Sequence, residues 1–261
     1  MLNRKIYVNS ISVIAPGMEK FSEWQDILKD HVKWSPIKLS KMVPSALPAN
    51  EARRTTTVIR LALKAIESIK HGANISAVFA SSEGDLDITD KICKALATEE
   101  KMVSPTLFHN SVHNAPAGYF SIAANMKTPS ISLSAGDNTF SAGLIEAVTQ
   151  VLVENNDVLL VAYDNITPED LDSFRHFDYP ISIALLLSVN KQSSTIASID
   201  VSVINEKMNV TQCFNNSLEV IRVSNPIGLG LPLVESLVRG MNTDIIIPYL
   251  NQNQLLIKVK S

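Results

Sequence analysis

The sequence predicts an α/β layered fold with a largely parallel sheet, and three observations carry that prediction. Short, mostly apolar runs at 75–81 and 158–162 suit strands buried on both faces, as a sheet sandwiched between helices requires. Segments of helical period lie between the strands, in the order β-α-β-α-α-β-α-β over the first 165 residues. Residues 129–147 read as a buried strand turning sharply into a helix: Ser130-Ile131-Ser132-Leu133-Ser134, then Ala135-Gly136-Asp137-Asn138, then an apolar face at Leu144, Ala147, Val148 and Val151. Such a turn is where many enzymes display a nucleophile beside free N–H groups and a helix dipole. The display position here holds neither Ser nor Cys.

Each element follows from a local pattern. A first strand over 6–14 alternates until Pro16-Gly17 closes it. A helix over 19–34 places Phe21, Trp24, Ile27 and Leu28 on one face, and prolines at 36, 44 and 48 make 33–50 a surface loop. Pro48 opens a strong helix with Val58, Leu61, Ala62, Ala65, Ile66 and Ile69 at helical period, stopped by His71-Gly72. The strand at 75–81 runs into the polar turn Ser82-Glu83-Gly84-Asp85, and a helix follows over 88–99 on Ile88, Ile92 and Leu96. After Ser104-Pro105, residues 114–125 read as a helix rich in small residues. Beyond Asp164 an acidic and aromatic loop, 166–180, leads to strands at 181–189 and 195–204, read as a hairpin. One amphipathic helix after Gly228-Leu229-Gly230, ending at Gly240, and strands at 245–247 and 255–259 complete a small C-terminal lobe.

Bulk properties narrow the classes of function. In 261 residues, 46% are hydrophobic and no apolar run is long enough to span a membrane, so a sizeable soluble core is expected. Met1 to Lys5 lead into a strand and lack the apolar core of a signal peptide, and the two cysteines, Cys93 and Cys213, have no metal-type spacing. Both read as buried thiols in a reducing cytoplasm. A net charge of −3 without a basic cluster makes nucleic acid an unsuitable partner.

Three constellations could carry chemistry. Asp137 reads as an N-cap of the helix that follows or as a catalytic carboxylate; the helix N-terminus would lower its pKa and oppose general-acid work. His109 and His113 are spaced i, i+4 as in helical zinc sites, yet no Glu intervenes, no third ligand follows, and Pro105 and Pro116 interrupt the helix, so they read as polar loop or interface histidines. Gly228-Leu229-Gly230 lacks the third glycine of a nucleotide loop, and no Gly-x-Ser-x-Gly elbow occurs. No cofactor and no metal are expected.

The stretch Ser104-Pro105, His113-Asn114-Ala115-Pro116-Ala117-Gly118, Ser121-Ile122 and Thr128-Pro129-Ser130-Ile131-Ser132-Leu133-Ser134 resembles the N-terminal half of the β-ketoacyl synthases, a family of thiolase fold. Those enzymes carry a Ser-Pro, an Asn followed by Ala-Gly and Ser/Thr-Ile, and a Gly-Pro-Ser that leads to an Ala-Cys nucleophile elbow. The match needs no gap from Ser104 to Ala147, and looser likeness extends over roughly residues 1 to 190. It implies a thiolase-like layered fold in a single domain, with a complete N-terminal half (1–165) and a truncated C-terminal half (166–261).

The departures matter as much. Ungapped counting puts Asp137 at the family's nucleophilic cysteine, Gly136 at the preceding alanine, and Phe140 where a small residue is usual. A carboxylate cannot form the thioester that a cysteine forms in this chemistry. Only His176 follows residue 113, and no His-Gly-Thr-Gly-Thr motif is present. By resemblance, the chain is similar to a shortened chain length factor, the non-catalytic subunit paired with an active ketosynthase in type II polyketide and aryl polyene pathways. The same resemblance implies a catalytic β-ketoacyl synthase as partner, in a heterodimer or higher assembly, and an acyl carrier protein reached through the complex. Ser130, Ile131, Ser132, Leu133 and Ser134 would then pair across the dimer seam, and Leu107, Phe108, Ser111, Val112 and Phe140 would contact the acyl tunnel. For Leu107, Phe108 and Val112 ordinary core packing is an equally good reading residue by residue. Two other classes stay open: a diverged thiolase-like acyltransferase or hydrolase using Asp137, Ser134 or His113, and a homodimeric acyl-binding scaffold.

Overall fold

A computed structural model describes residues 5–261; the Met1–Arg4 stretch read as the lead-in to the first strand lies outside them. Eight strands form one sheet: β1 (Ile6–Ile14), β2 (Ile75–Ala80), β3 (Ser130–Leu133), β4 (Asp157–Asp164), β5 (Ile181–Ser188), β6 (Ala197–Ile204), β7 (Thr243–Pro248) and β8 (Gln254–Lys260), in the spatial order β3-β2-β4-β5-β1-β6-β8-β7. Among the described residues nine α-helices accompany them: α1 (Phe21–Leu28), α2 (Ala49–Arg54), α3 (Thr57–Ile66), α4 (Leu86–Ala97), α5 (Pro105–Asn110), α6 (Ala115–Ala124), α7 (Thr139–Glu154), α8 (Glu219–Ser224) and α9 (Leu231–Val238).

β2 and β4 show why their sequences are mostly apolar. Val78, Ala80, Leu160 and Ala162 point into one core layer with Phe140, Leu144 and Ala147 of α7, whereas Ala77, Phe79, Leu159 and Val161 point into the other with α3 and α6. Alternate residues thus serve opposite faces, and both faces are dry. α7 lies very close to the sheet: a Cβ on Gly143 would stand 2.8 Å from the Ala80 Cβ. The C-terminal segments join the same core, because Leu218, Ile221, Ile227, Leu231 and Val234 belong to the α7 layer.

The sheet is mixed, not largely parallel. Only β2–β3 and β2–β4 pair in parallel; the other five neighbouring pairs are antiparallel. The physical reason is the connection at 165–180, which holds only a 3-10 turn (Glu169–Leu171) and folds β5 back along β4 where a crossover helix would have kept it parallel. The expected hairpin of β5 and β6 does not form either, because β1 lies between them and pairs antiparallel with both. The chain passes over the start of β1, fastened by Ile196 N–H donating to Val8 O at 2.8 Å and by Asn9, which donates to Asn190 O and accepts from Thr195 Oγ1. Asn9 is freed for this by the register shift between Val8 and Ser10.

Smaller corrections have equally local causes. The long helix expected after Pro48 breaks at Thr55, whose ψ of 140° is extended, and Thr56 caps α3 by accepting from Ile59 N–H. The helix expected over 19–34 stops at Leu28, and Phe21 lies exposed, edge-on to Trp24. On α4 only Ile88 is buried, while Leu96 is exposed. Of the two free thiols Cys213 is buried and Cys93 is exposed, in contrast to the reading of both as core. Among the described residues no helix is long and apolar enough to cross a membrane.

Candidate functional site at the turn from β3 into α7

The C-terminal ends of β2, β3 and β4 meet at one rim of the sheet, and the turn of interest sits there. Gly136, at φ +55°, opens a 3-10 turn over Gly136–Asn138. Thr139 then starts α7: its Oγ1 accepts from Ala135 N–H at 3.0 Å and donates to Gly136 O at 2.7 Å. Asp137 is therefore not the N-cap. Its side chain is 78% exposed and pairs with Arg175 Nη1 at 2.6 Å. Arg175, from the β4–β5 connection, also holds Glu83 Oε1 at 2.9 Å and lies 4.8 Å from the Phe177 ring centroid. Asp137, Asn138, Phe174, Arg175, Leu229 and Pro248 are among the residues around a cavity of about 360 Å³.

His176 contributes both ring nitrogens to carboxylates, Asp172 at 2.6 Å and Asp178 at 2.7 Å, and these hold its pKa above the ordinary imidazole value. With both ring nitrogens held by carboxylates, neither is free to take a proton from a substrate. Ser224 also lines the cavity, but its buried hydroxyl has no hydrogen-bond partner and so no base to activate it. Ser134 Oγ donates to Ser82 O at 2.7 Å, and His113 Nε2 lies 3.0 Å from Ser81 O. His109 lies within α5 and His113 beyond its end, so the two share no helix face. Among the described residues no group of three His, Cys, Asp or Glu side chains is placed to hold a metal ion.

The rim also holds a buried carboxylate that sequence reasoning missed. Asp164 ends β4 and is 1% exposed. Its Oδ1 accepts from Ser81 Oγ at 2.8 Å and Ser82 N–H at 3.0 Å, and its Oδ2 from Ser82 Oγ at 2.5 Å. Desolvation pushes its pKa up to about 7, against the lowering effect of the two serines. A charged residue directly after Val158–Tyr163 was the available signal. Arg175 had none: nothing in an acidic, aromatic loop marks which cation reaches back to the turn.

The predicted interface and tunnel residues fall on distinct surfaces. β3 is the sheet's terminal strand, with Ser130, Ile131 and Ser134 exposed and Ser132 and Leu133 half-buried. Phe108 is 69% exposed, Ser111 and Val112 are exposed, and Leu107 is half-buried, all on or just after α5. Phe140 is fully buried in the α7 core layer, away from that surface.

The chain belongs to the β-ketoacyl synthase family: residues 24–224 match the model of the β-ketoacyl synthase N-terminal domain. Its fold is thiolase-like, and similar solved structures span nearly the whole chain. A chain from the complex of the ketosynthase ApeO with its chain length factor ApeC, from Xenorhabdus doucetiae, superposes with a TM-score of 0.75 at 24% identity, over 97% of this chain and 99% of that one. The ishigamide ketosynthase/chain length factor follows with 0.71 at 10% identity, over 98% and 99%. A type II polyketide synthase acyl-carrier protein in complex with its hexaketide-bound ketosynthase (AntDE:AntF) gives 0.71 at 12%, over 99% of each chain. At these identities the likeness is one of fold. No curated protein matches the sequence.

Proposed function

We propose that this chain is a non-catalytic, chain-length-factor-like subunit that pairs with a catalytic β-ketoacyl synthase and forms part of the wall of its acyl tunnel. The observation that carries this reading is the intact strand–turn–helix frame with an exposed carboxylate, Asp137, tied to Arg175 where the family resemblance puts the nucleophile. The similar solved structures support it, since they include ketosynthase–chain length factor pairs and a carrier-protein complex. β3 offers a partner strand a free edge, and an edge left open in solution invites pairing. In this reading 130–134 is the seam and Leu107, Phe108, Ser111 and Val112 line the tunnel. Phe140 then acts from behind, by packing the turn. The carrier protein is met through the complex.

Co-expression with a catalytic β-ketoacyl synthase from a neighbouring operon tests the proposal. A stable 1:1 complex by native mass is expected. A chain that never co-purifies overturns it, and a homodimer that persists in the presence of that synthase supports the scaffold reading instead.

A further inference from the structure

Four elements converge on the Asp164 carboxylate. β4 contributes Asp164 itself. The end of β2 contributes Ser81 and Ser82, which supply its three donors. The end of β3 joins through Ser134, whose hydroxyl donates to Ser82 O. The segment after α5 joins through His113, placed on Ser81 O one residue after Val112. Ser81 Oγ accepts as well from Gly84 N–H at 2.9 Å, so it is held from both sides. A displacement of Ser81–Ser82 therefore moves the free edge strand and the exposed Phe108–Val112 segment together. A fully satisfied buried network of this kind specifies one arrangement.

We propose that Asp164 is a positioning residue that couples the free edge of β3 to the segment bearing Leu107–Val112, so that one buried carboxylate sets the docking edge and the tunnel wall as a unit. The consequence for docking rests on the chain-length-factor reading; the coupling within the chain does not.

The charged and titratable surroundings agree. Glu83 of the β2–α4 turn and Asp87 of α4 share the lining of a small cavity with Asp164, Asp85 lies in the same turn, Tyr163 precedes Asp164 on β4, His113 bonds Ser81 O, Arg60 of α3 lines a neighbouring groove with Asp87, and Arg175 reaches the group through Glu83. Neither arginine pairs with Asp164 itself. Burial holds a proton on the closed arrangement up to about pH 7, whereas an opened, hydrated Asp164 releases it near the ordinary carboxylate value. Opening therefore becomes easier as pH rises toward 7, and levels off above it.

Hydrogen exchange on the full chain alone, corrected for intrinsic rates between pH 5 and 8.5, tests this. In the wild type the amides of 130–134 and 111–114 should lose protection together, by at most about tenfold per pH unit, the limit for one proton. Asp164→Asn mimics the protonated acid and should leave both segments protected and independent of pH. Ser134→Ala removes one tie to β3 but leaves Ser81 N–H donating to Leu133 O at 3.2 Å, so it should weaken the β3 response while 111–114 keeps its full size. In unmodified protein, the Asp164 carboxyl carbon should titrate by NMR with that same midpoint, which keeps the test available if a variant folds poorly. Different midpoints for the two segments, or a pH response surviving in Asp164→Asn, overturn the coupling. Failure to form a complex with a ketosynthase overturns the functional reading instead.

Discussion

The ring of Phe140 fills the space that a side chain on Gly230 would need: a Cβ there would stand 2.4 Å from Phe140 Cε2 and 2.5 Å from Cζ. This contact joins the first turn of α7, just behind Asp137, to the 3-10 segment Pro226–Gly230 that leads into α9. A position where the family resemblance expects a small residue is thus occupied by a large one, and a glycine from the far end of the chain makes room. Gly230→Ala should destabilise the protein by ~1–3 kcal/mol through overpacking. Urea denaturation checks this, and Phe140→Leu should restore part of the loss. An unchanged midpoint in Gly230→Ala would refute the fit.

Phe108 behaves as a surface residue of the isolated chain. Phe108→Ala should change stability by no more than ~0.5 kcal/mol, far below the ~3–5 kcal/mol of a core phenylalanine. In the reconstituted ketosynthase complex the same change should lengthen the acyl products. Thermal melts and product profiles measured on one preparation decide both halves, and an unaltered profile removes Phe108 from the tunnel wall.

Asp137→Asn is expected to leave turnover of the reconstituted complex within about twofold, since the non-catalytic reading gives the carboxylate no bond-making step. Its pair with Arg175 is solvent-exposed on the Asp side and contributes at most ~1 kcal/mol. Abolished turnover would instead make Asp137 catalytic and revive the acyltransferase reading.

Stability should also report the burial of Glu235. This fully buried side chain accepts from Phe214 N–H at 2.8 Å and Asn215 N–H at 2.7 Å, and desolvation pushes its pKa up to about 7. The folded chain keeps a proton there that the unfolded chain releases near 4.5, so its contribution is greatest below 4.5, declines as pH rises to about 7, and is flat above. Urea midpoints of wild type and Glu235→Gln, compared from pH 4.5 to 8, should converge at the acidic end and separate toward neutrality. Parallel curves would show that Glu235 does not titrate in this range.

The sequence by itself determined the strands of the first 165 residues to within a few positions, and the place of the turn at Gly136–Asn138, because both depend on local pattern and local turn chemistry, whereas the helices expected over 19–34 and after Pro48 end or break early. It also determined that no cysteine stands at that turn. It did not determine the pairing of β1 between β5 and β6, because strand neighbours are chosen by contacts between residues as far apart in the chain as Ile14 and Ser182 or Ile6 and Ile199, and a short polar connection between two apolar runs reads as a hairpin whichever strand lies between them. The partners of Asp137 and Asp164 were likewise decided by the tertiary structure alone. Whether a carboxylate caps a helix, pairs with Arg175 across a loop, or is buried under two serines depends on which distant side chains the fold brings within hydrogen-bond reach.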